Sequence, residues 1–137
     1  MRKLKTLILL VSIFTANHLF SQSSTTFHQS FPLDKQMVSI IMDFEYPYQI
    51  EYWSGNTILV ETSIRLDNAS QVILDYFIET GRYTVVTQKY PATVVFKMKD
   101  MVRKAIHTRK GPCAENIVLK LFVPEGVKVS STGKRQM

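Results

Sequence analysis

The side chains able to do chemistry are few and widely spaced. Beyond residue 21 the chain has two histidines, His28 and His107, and no His-x-x-x-His or Cys-x-x-Cys pair. Nor is there a carboxylate cluster at metal-ligand spacing, so no built-in zinc site is expected. Glu45, Glu51 and Glu61 are the residues from which a paired-carboxylate site for glycan hydrolysis could be assembled. Each falls on the polar face of an expected strand, where a solvated carboxylate is the ordinary finding. Gly-x-Ser-x-Gly is absent, and with five glycines in 137 residues no phosphate-cradling loop stands out. These residue types predict a protein that is not an enzyme and that carries neither cofactor nor metal.

Two other groups could recognise a partner. Arg103, Lys104, His107, Arg109 and Lys110 form the most basic stretch, in "VRKAIHTRKGPCAE". A basic hairpin loop can meet anionic lipid headgroups or acidic glycans, or simply stay solvated and keep neighbouring strand edges from aggregating. No aromatic residue interleaves the run, which argues against single-stranded nucleic acid. The densest aromatic stretch is Tyr46, Tyr48, Tyr52 and Trp53. Aromatics on a strand can stack on sugars, but they also pack across strand pairs, and packing is the more ordinary role. The single cysteine, Cys113, cannot form an internal disulfide. It reads as a small, partly buried residue rather than a reactive thiol.

The elements that position these residues begin after a secretory pattern. Arg2, Lys3 and Lys5 precede the apolar run Leu7 to Phe14, and Ser21 offers a small residue at a cleavage point. The run is too short to cross about 30 Å of hydrocarbon, so a signal peptide over 1–21 is expected. No integral span remains after its removal, and the destination is the periplasm, the outer-membrane surface or the exterior. Without residues 1–21 the net charge falls from +6 to +3, fourteen basic residues against eleven acidic. That weakens any nucleic-acid reading further, and the remaining length suits one domain.

Residues 22–34 are polar and lack a period, which predicts a flexible leader. A single β-rich domain is expected over 35–130, followed by a polar tail, 131–137. Alternation at period two marks strands. Val38, Ile40, Met42 and Phe44 share one face of such a run, and Ile58, Val60, Thr62, Ile64 and Leu66 share one face of another. Ser54-Gly55-Asn56 between Tyr48–Trp53 and Thr57–Leu66 predicts a hairpin. A second hairpin is expected around Lys89-Tyr90-Pro91-Ala92. Asn68 and Gln71 suggest a capping box for a helix over about residues 69–80, with Val72, Ile73, Tyr76 and Phe77 as its apolar stripe and Gly81 as its stop. The fold class is mainly β, with about six to seven antiparallel or β-helix-like strands and one short α-helix.

The order of these pieces resembles a family. An early "IEYWSGNTILVET" (Ile50–Thr62) is followed by a helix ending in "FIETGRY" (Phe77–Tyr83). A basic segment then leads through Glu115 to "LKLFVPEGVKV" (Leu119–Val129). This resembles the adhesin-like β-strand-repeat exported proteins of unknown function from Gram-negative bacteria, in which a "VPEGV" step introduces a single-stranded right-handed β-helix. The resemblance implies a cell-envelope structural or adhesin-like interaction module. Family members continue with several repeats, whereas here only Val127–Ser130 follows the step. An uncapped last rung implies an assembly edge at Val127 and Val129 and self-association through it. The alternative is a periplasmic module that binds an envelope lipid or glycan, with Tyr46, Tyr48, Tyr52 and Trp53 at its site.

Overall fold

The computed structural model describes residues 22–37 and 39–132. The signal-like segment 1–21, Val38 and the tail beyond residue 132 lie outside the described residues. Among the described residues, ten strands and one helix follow one another in the order β1 (Gln22–Pro32), β2 (Ser39–Asp43), β3 (Tyr48–Trp53), β4 (Thr57–Asp67), α1 (Gln71–Glu79), β5 (Val85–Tyr90), β6 (Thr93–Met98), β7 (Ile106–Thr108), β8 (Gly111–Cys113), β9 (Glu115–Pro124) and β10 (Lys128–Ser131). The mainly-β class with one short helix holds, with ten strands where six or seven were expected. No helix among the described residues is long and apolar enough to cross a membrane.

Two four-stranded sheets, ordered β1-β4-β9-β3 and β10-β2-β6-β5, enclose one core, and β7 and β8 form a separate hairpin. The period-two pattern places the core. Ile58, Val60, Thr62, Ile64 and Leu66 of β4 all turn inward and are buried. Ile117, Leu119, Leu121 and Val123 of β9 do the same, opposite Ile40 and Met42 of β2 and Val94, Phe96 and Met98 of β6. At about 1.5–3 kcal/mol for each fully buried large apolar side chain, this cluster dominates the stability. Its members all lie between Ile40 and Val123, so the described span carries its own core.

Residues 22–34 are not a flexible leader. Gln22–Pro32 pairs antiparallel with β4 along its whole length, from Gln22 opposite Asp67 to Pro32 opposite Thr57. Phe27 and Phe31 turn inward, and the Phe31 ring meets Phe96 edge-on at 5.1 Å. Gln29 closes the seam between the sheets. Its side-chain amide donates to the Val85 carbonyl (3.1 Å) and accepts from the Val85 N–H (2.9 Å), in place of a missing strand partner.

The expected β3–β4 hairpin also fails. β9 lies between the two strands, parallel to β3 and antiparallel to β4. The Ser54–Asn56 connection therefore spans the end of β9, where Glu125 N–H donates to the Trp53 carbonyl at 3.1 Å. Trp53 folds back over this connection, donating Nε1–H to the Thr57 carbonyl (3.0 Å), and its ring leaves a Cβ at Gly55 only 2.6 Å of room. The second hairpin forms as expected between β5 and β6.

The "VPEGV" step is a crossing between layers. Gly126, at φ 87°, turns the chain out of the first sheet so that β10 can join β2 of the second in parallel. β10 is an edge strand, yet Val127 and Val129 pack half-buried against the core. Their side chains therefore serve the fold, while the outer backbone edge of β10 has no strand partner among the described residues.

Candidate functional site

Helix α1 bridges the two sheets, running from the end of β4 toward β5. Its N-cap is Ser70, while Asn68, expected as the cap, takes a left-handed φ of 61° and directs its side chain to the Pro112 carbonyl. Gln71 bonds Asp75 instead of completing a capping box. The C-terminus is a Schellman turn. Gly81 (φ 80°) donates to the Ile78 carbonyl and Arg82 to the Phe77 carbonyl, both at 3.0 Å.

The helix is apolar on more than one face. Leu74 is fully buried, and Ile73, Phe77 and Ile78 pack against the core. The neighbouring face carries Val72 and Tyr76, which remain 76% and 60% exposed. Opposite this free face stands the β7–β8 hairpin. Its tip is bound to the β4–α1 connection by Thr108, whose hydroxyl donates to the Asn68 carbonyl (3.1 Å) and accepts from the Lys110 N–H (3.1 Å).

Between helix and hairpin lies a groove of about 690 Å³, within the range of small-molecule sites. One wall is Val72, Ile73, Tyr76 and Phe77, and the other is Ile106 to Lys110. The helix wall is apolar, while exposed His107, Arg109 and Lys110 stand at the hairpin side. Such a groove can hold an apolar body and neutralise an anion at its rim.

A buried charge cluster fixes the base of this wall. Arg82 grips Glu115 with two bonds, Nε to Oε1 at 2.9 Å and Nη2 to Oε2 at 2.8 Å, and the Tyr83 hydroxyl donates to Oε1 at 2.8 Å. Arg82 Nη2 also donates to the Lys104 carbonyl (2.7 Å), tying down the segment that leads into β7. Burial pushes the Glu115 carboxyl up, but the bonds from Arg82 and Tyr83 outweigh it and hold the group below its ordinary range. Burial also drives the Tyr83 phenol up, and its bond to Glu115 adds to the rise, so it lies well above its usual value.

The expected interaction residues divide. Lys104, Arg109 and Lys110 are exposed, as a surface role requires. Arg103 is not, because its guanidinium lies over the Tyr46 ring (4.6 Å) and the Tyr83 ring (5.6 Å) with its side chain 7% exposed. Burial lowers its pKa, and Nη1 finds no hydrogen-bond partner. The four aromatics do not converge on one site. Tyr48 is in the core, Tyr46 holds Arg103, Trp53 covers Gly55 and nears Phe122 (6.1 Å), and Tyr52 stands 53% exposed.

Carboxylates and thiol behave as structural groups. On the outer face of the first sheet His28 meets Glu61 at 3.0 Å and Lys120 meets Glu51 at 2.8 Å, so both carboxylates have side-chain partners on neighbouring strands. Among the described residues no three His, Cys, Asp or Glu side chains gather as a metal site. Cys113 is buried in β8 beside Ile106, and burial raises its thiol pKa, which disfavours the nucleophilic thiolate. No protein-family model, curated protein or solved structure matches this chain.

The groove was not foreseen as a site, although its signal is present in "QVILDYFIE". Six of these nine residues are apolar, more than one core-facing stripe of a surface helix can use.

Proposed function

We propose that this chain is a binding domain for an anionic amphiphile, a single apolar chain ending in a carboxylate or phosphate. The ligand's tail lies along Val72, Tyr76 and Phe77, and its anion meets Arg109 and Lys110. One observation carries the reading: an apolar helix face, with Val72 and Tyr76 largely exposed, lies across a groove from a basic hairpin tip. Covering such a face with an apolar chain gains roughly 25 cal/mol per Å² of apolar area, with only the Tyr76 hydroxyl needing to keep a polar partner. The cations supply orientation at the wet rim. The reading is of a non-catalytic module of the cell envelope, supported by the secretory pattern of residues 1–21, with the ligand at the helix rather than at the scattered tyrosines.

The test is displacement of dansyl-labelled undecanoate by myristate, myristyl phosphate and myristyl alcohol. Both anions should compete at one saturable site, with the alcohol about tenfold weaker, the loss of roughly one charge-assisted bond. Tyr76→Glu should abolish binding without unfolding the chain, since Tyr76 is 60% exposed. Equal competition by the alcohol, or unchanged binding by Y76E, would overturn the reading.

A further inference from the structure

The chain enters the described fold beside the groove. β1 begins at Gln22, opposite Asp67 at the end of β4, and the Gln22 side-chain amide donates to the Asp67 carboxylate at 3.1 Å. One residue on, Asn68 (φ 61°) turns the chain away toward α1, which also lies against β1. The two strands run antiparallel, so the chain before Gln22 heads where β4 was heading, past Asn68. Asn68 and Ser70 line the groove, and Val72, Ile73, Tyr76 and Phe77 continue its helix wall.

The residues that precede Gln22 suit an apolar groove. Residues 15–21 read "TANHLFS", with Leu19 and Phe20 just ahead of Ser21. An extended chain covers about 3.3 Å per residue, so Leu19 stays within about 10 Å of Gln22. The stretch has no Lys, Arg, Asp or Glu, and the nearest cation upstream is Lys5. It therefore brings no fixed charge of its own against Arg109 and Lys110 at the rim. Val72 and Tyr76, 76% and 60% exposed, offer apolar surface to such side chains. A segment tethered this closely competes at an effective concentration on the order of mM, well above that of a dilute free ligand.

We infer that Leu19 and Phe20 fill the groove for as long as they remain attached, so that the unprocessed chain carries its own occupant. Hydrolysis of the Ser21–Gln22 peptide bond, with water as co-reactant and a separate peptidase as catalyst, removes that occupant and opens the site. The exclusion of ligand rests on the amphiphile reading of the groove, whereas the seating of Leu19 and Phe20 is measured separately.

The experiment compares a chain beginning at Thr15 with one beginning at Gln22. Both keep the whole core, whose members lie between Ile40 and Val123, and both lack the apolar run 7–14. Their backbone amide NMR spectra should differ at residues 68–77 and 106–110. Leu19→Asp with Phe20→Asp, placed outside the core, should return the longer chain to the spectrum of the shorter. The longer chain should bind dansyl-undecanoate at least about tenfold more weakly than the shorter, and the double variant should recover the lost affinity. Coincident spectra over those residues, shifts that L19D/F20D leaves in place, or equal affinity for the probe would overturn the self-occupancy and leave the groove reading standing. The converse result is a shorter chain that does not bind the probe, beside a longer chain whose groove shifts vanish in L19D/F20D. That result overturns the amphiphile reading while the seating of Leu19 and Phe20 stands.

Discussion

Glu115 faces two guanidiniums that have almost no access to water, with the Arg82 and Arg103 side chains 9% and 7% exposed and its own 17%. Glu115→Gln removes the carboxylate bonded to Arg82 and nearest Arg103, and leaves two buried cations facing an amide. Breaking a buried ion pair from one side costs about 3–5 kcal/mol. With a urea slope of about 2 kcal/mol per M for a domain of this size, the unfolding midpoint should fall by about 2 M. Arg82→Met should cost nearly as much, because it strands the carboxylate and the Lys104 carbonyl. Arg103→Met should cost less than about 1 kcal/mol. Arg103 reaches Glu115 only at 4.0 Å and carries an unpartnered buried nitrogen, so its desolvation largely offsets its attraction. The folded-state carboxyl is depressed below its ordinary 4.5. Its contribution is therefore complete above that value and lost as pH falls through the lower folded-state value. The midpoint gap between the unaltered chain and E115Q should be widest near pH 7 and shrink toward pH 3. Urea titrations followed by tryptophan fluorescence, repeated across pH, measure all of this. A loss below about 0.5 M for E115Q, or equal losses for R82M and R103M, would refute the reasoning.

Three further substitutions test the fold that holds the groove. Gly55→Ala places a Cβ 2.6 Å from the Trp53 ring, so the indole must swing away. The expected cost is about 1–3 kcal/mol, with a red-shifted emission from the chain's single tryptophan, and an unshifted spectrum contradicts the placement. Gln29→Leu leaves the Val85 N–H and carbonyl without their amide partner. It should lower stability by about 1–3 kcal/mol and speed hydrogen exchange at Val85, and unchanged exchange would show that the seam closes some other way. Thr62 is fully buried with an unpartnered hydroxyl. Thr62→Val should raise the urea midpoint by the equivalent of about 1 kcal/mol, whereas a loss would show that the hydroxyl is bonded.

How far the sequence could be read depends on how local each determinant is. The β4 and β9 alternations were readable because every inward position is apolar or Thr, and the same residues turned out buried. β1 was not, because its inward face carries polar Ser23, Thr25 and Gln29 alongside Phe27 and Phe31, and Gln29 serves a bond to a residue 56 positions away. The Ser54–Asn56 turn was readable as a turn, but nothing within it shows that β9, more than fifty residues later, enters between its two strands. Tyr46, Tyr48, Tyr52 and Trp53 are adjacent in sequence and dispersed in space. Strand geometry and the bend before β3 send one into the core, one to Arg103 and two to different surfaces. The helix stripe was half right. Ile73 and Phe77 do face the core, but Leu74 and Ile78 complete that face and release Val72 and Tyr76 to the groove. The basic hairpin was readable as charge, yet its alignment with that free face is a tertiary fact set by Thr108, Asn68 and the Arg82–Glu115 pair.

The most direct measurement of ligand binding in the groove is a backbone amide NMR titration of the chain from Gln22 onward with myristate. Saturable shifts confined to residues 68–77 and 106–110, with the largest at Tyr76 and around Arg109, are the predicted result. Shifts centred on the outer face of the first sheet, around Glu51, Glu61 and Lys120, or no saturable shift at all, would contradict it.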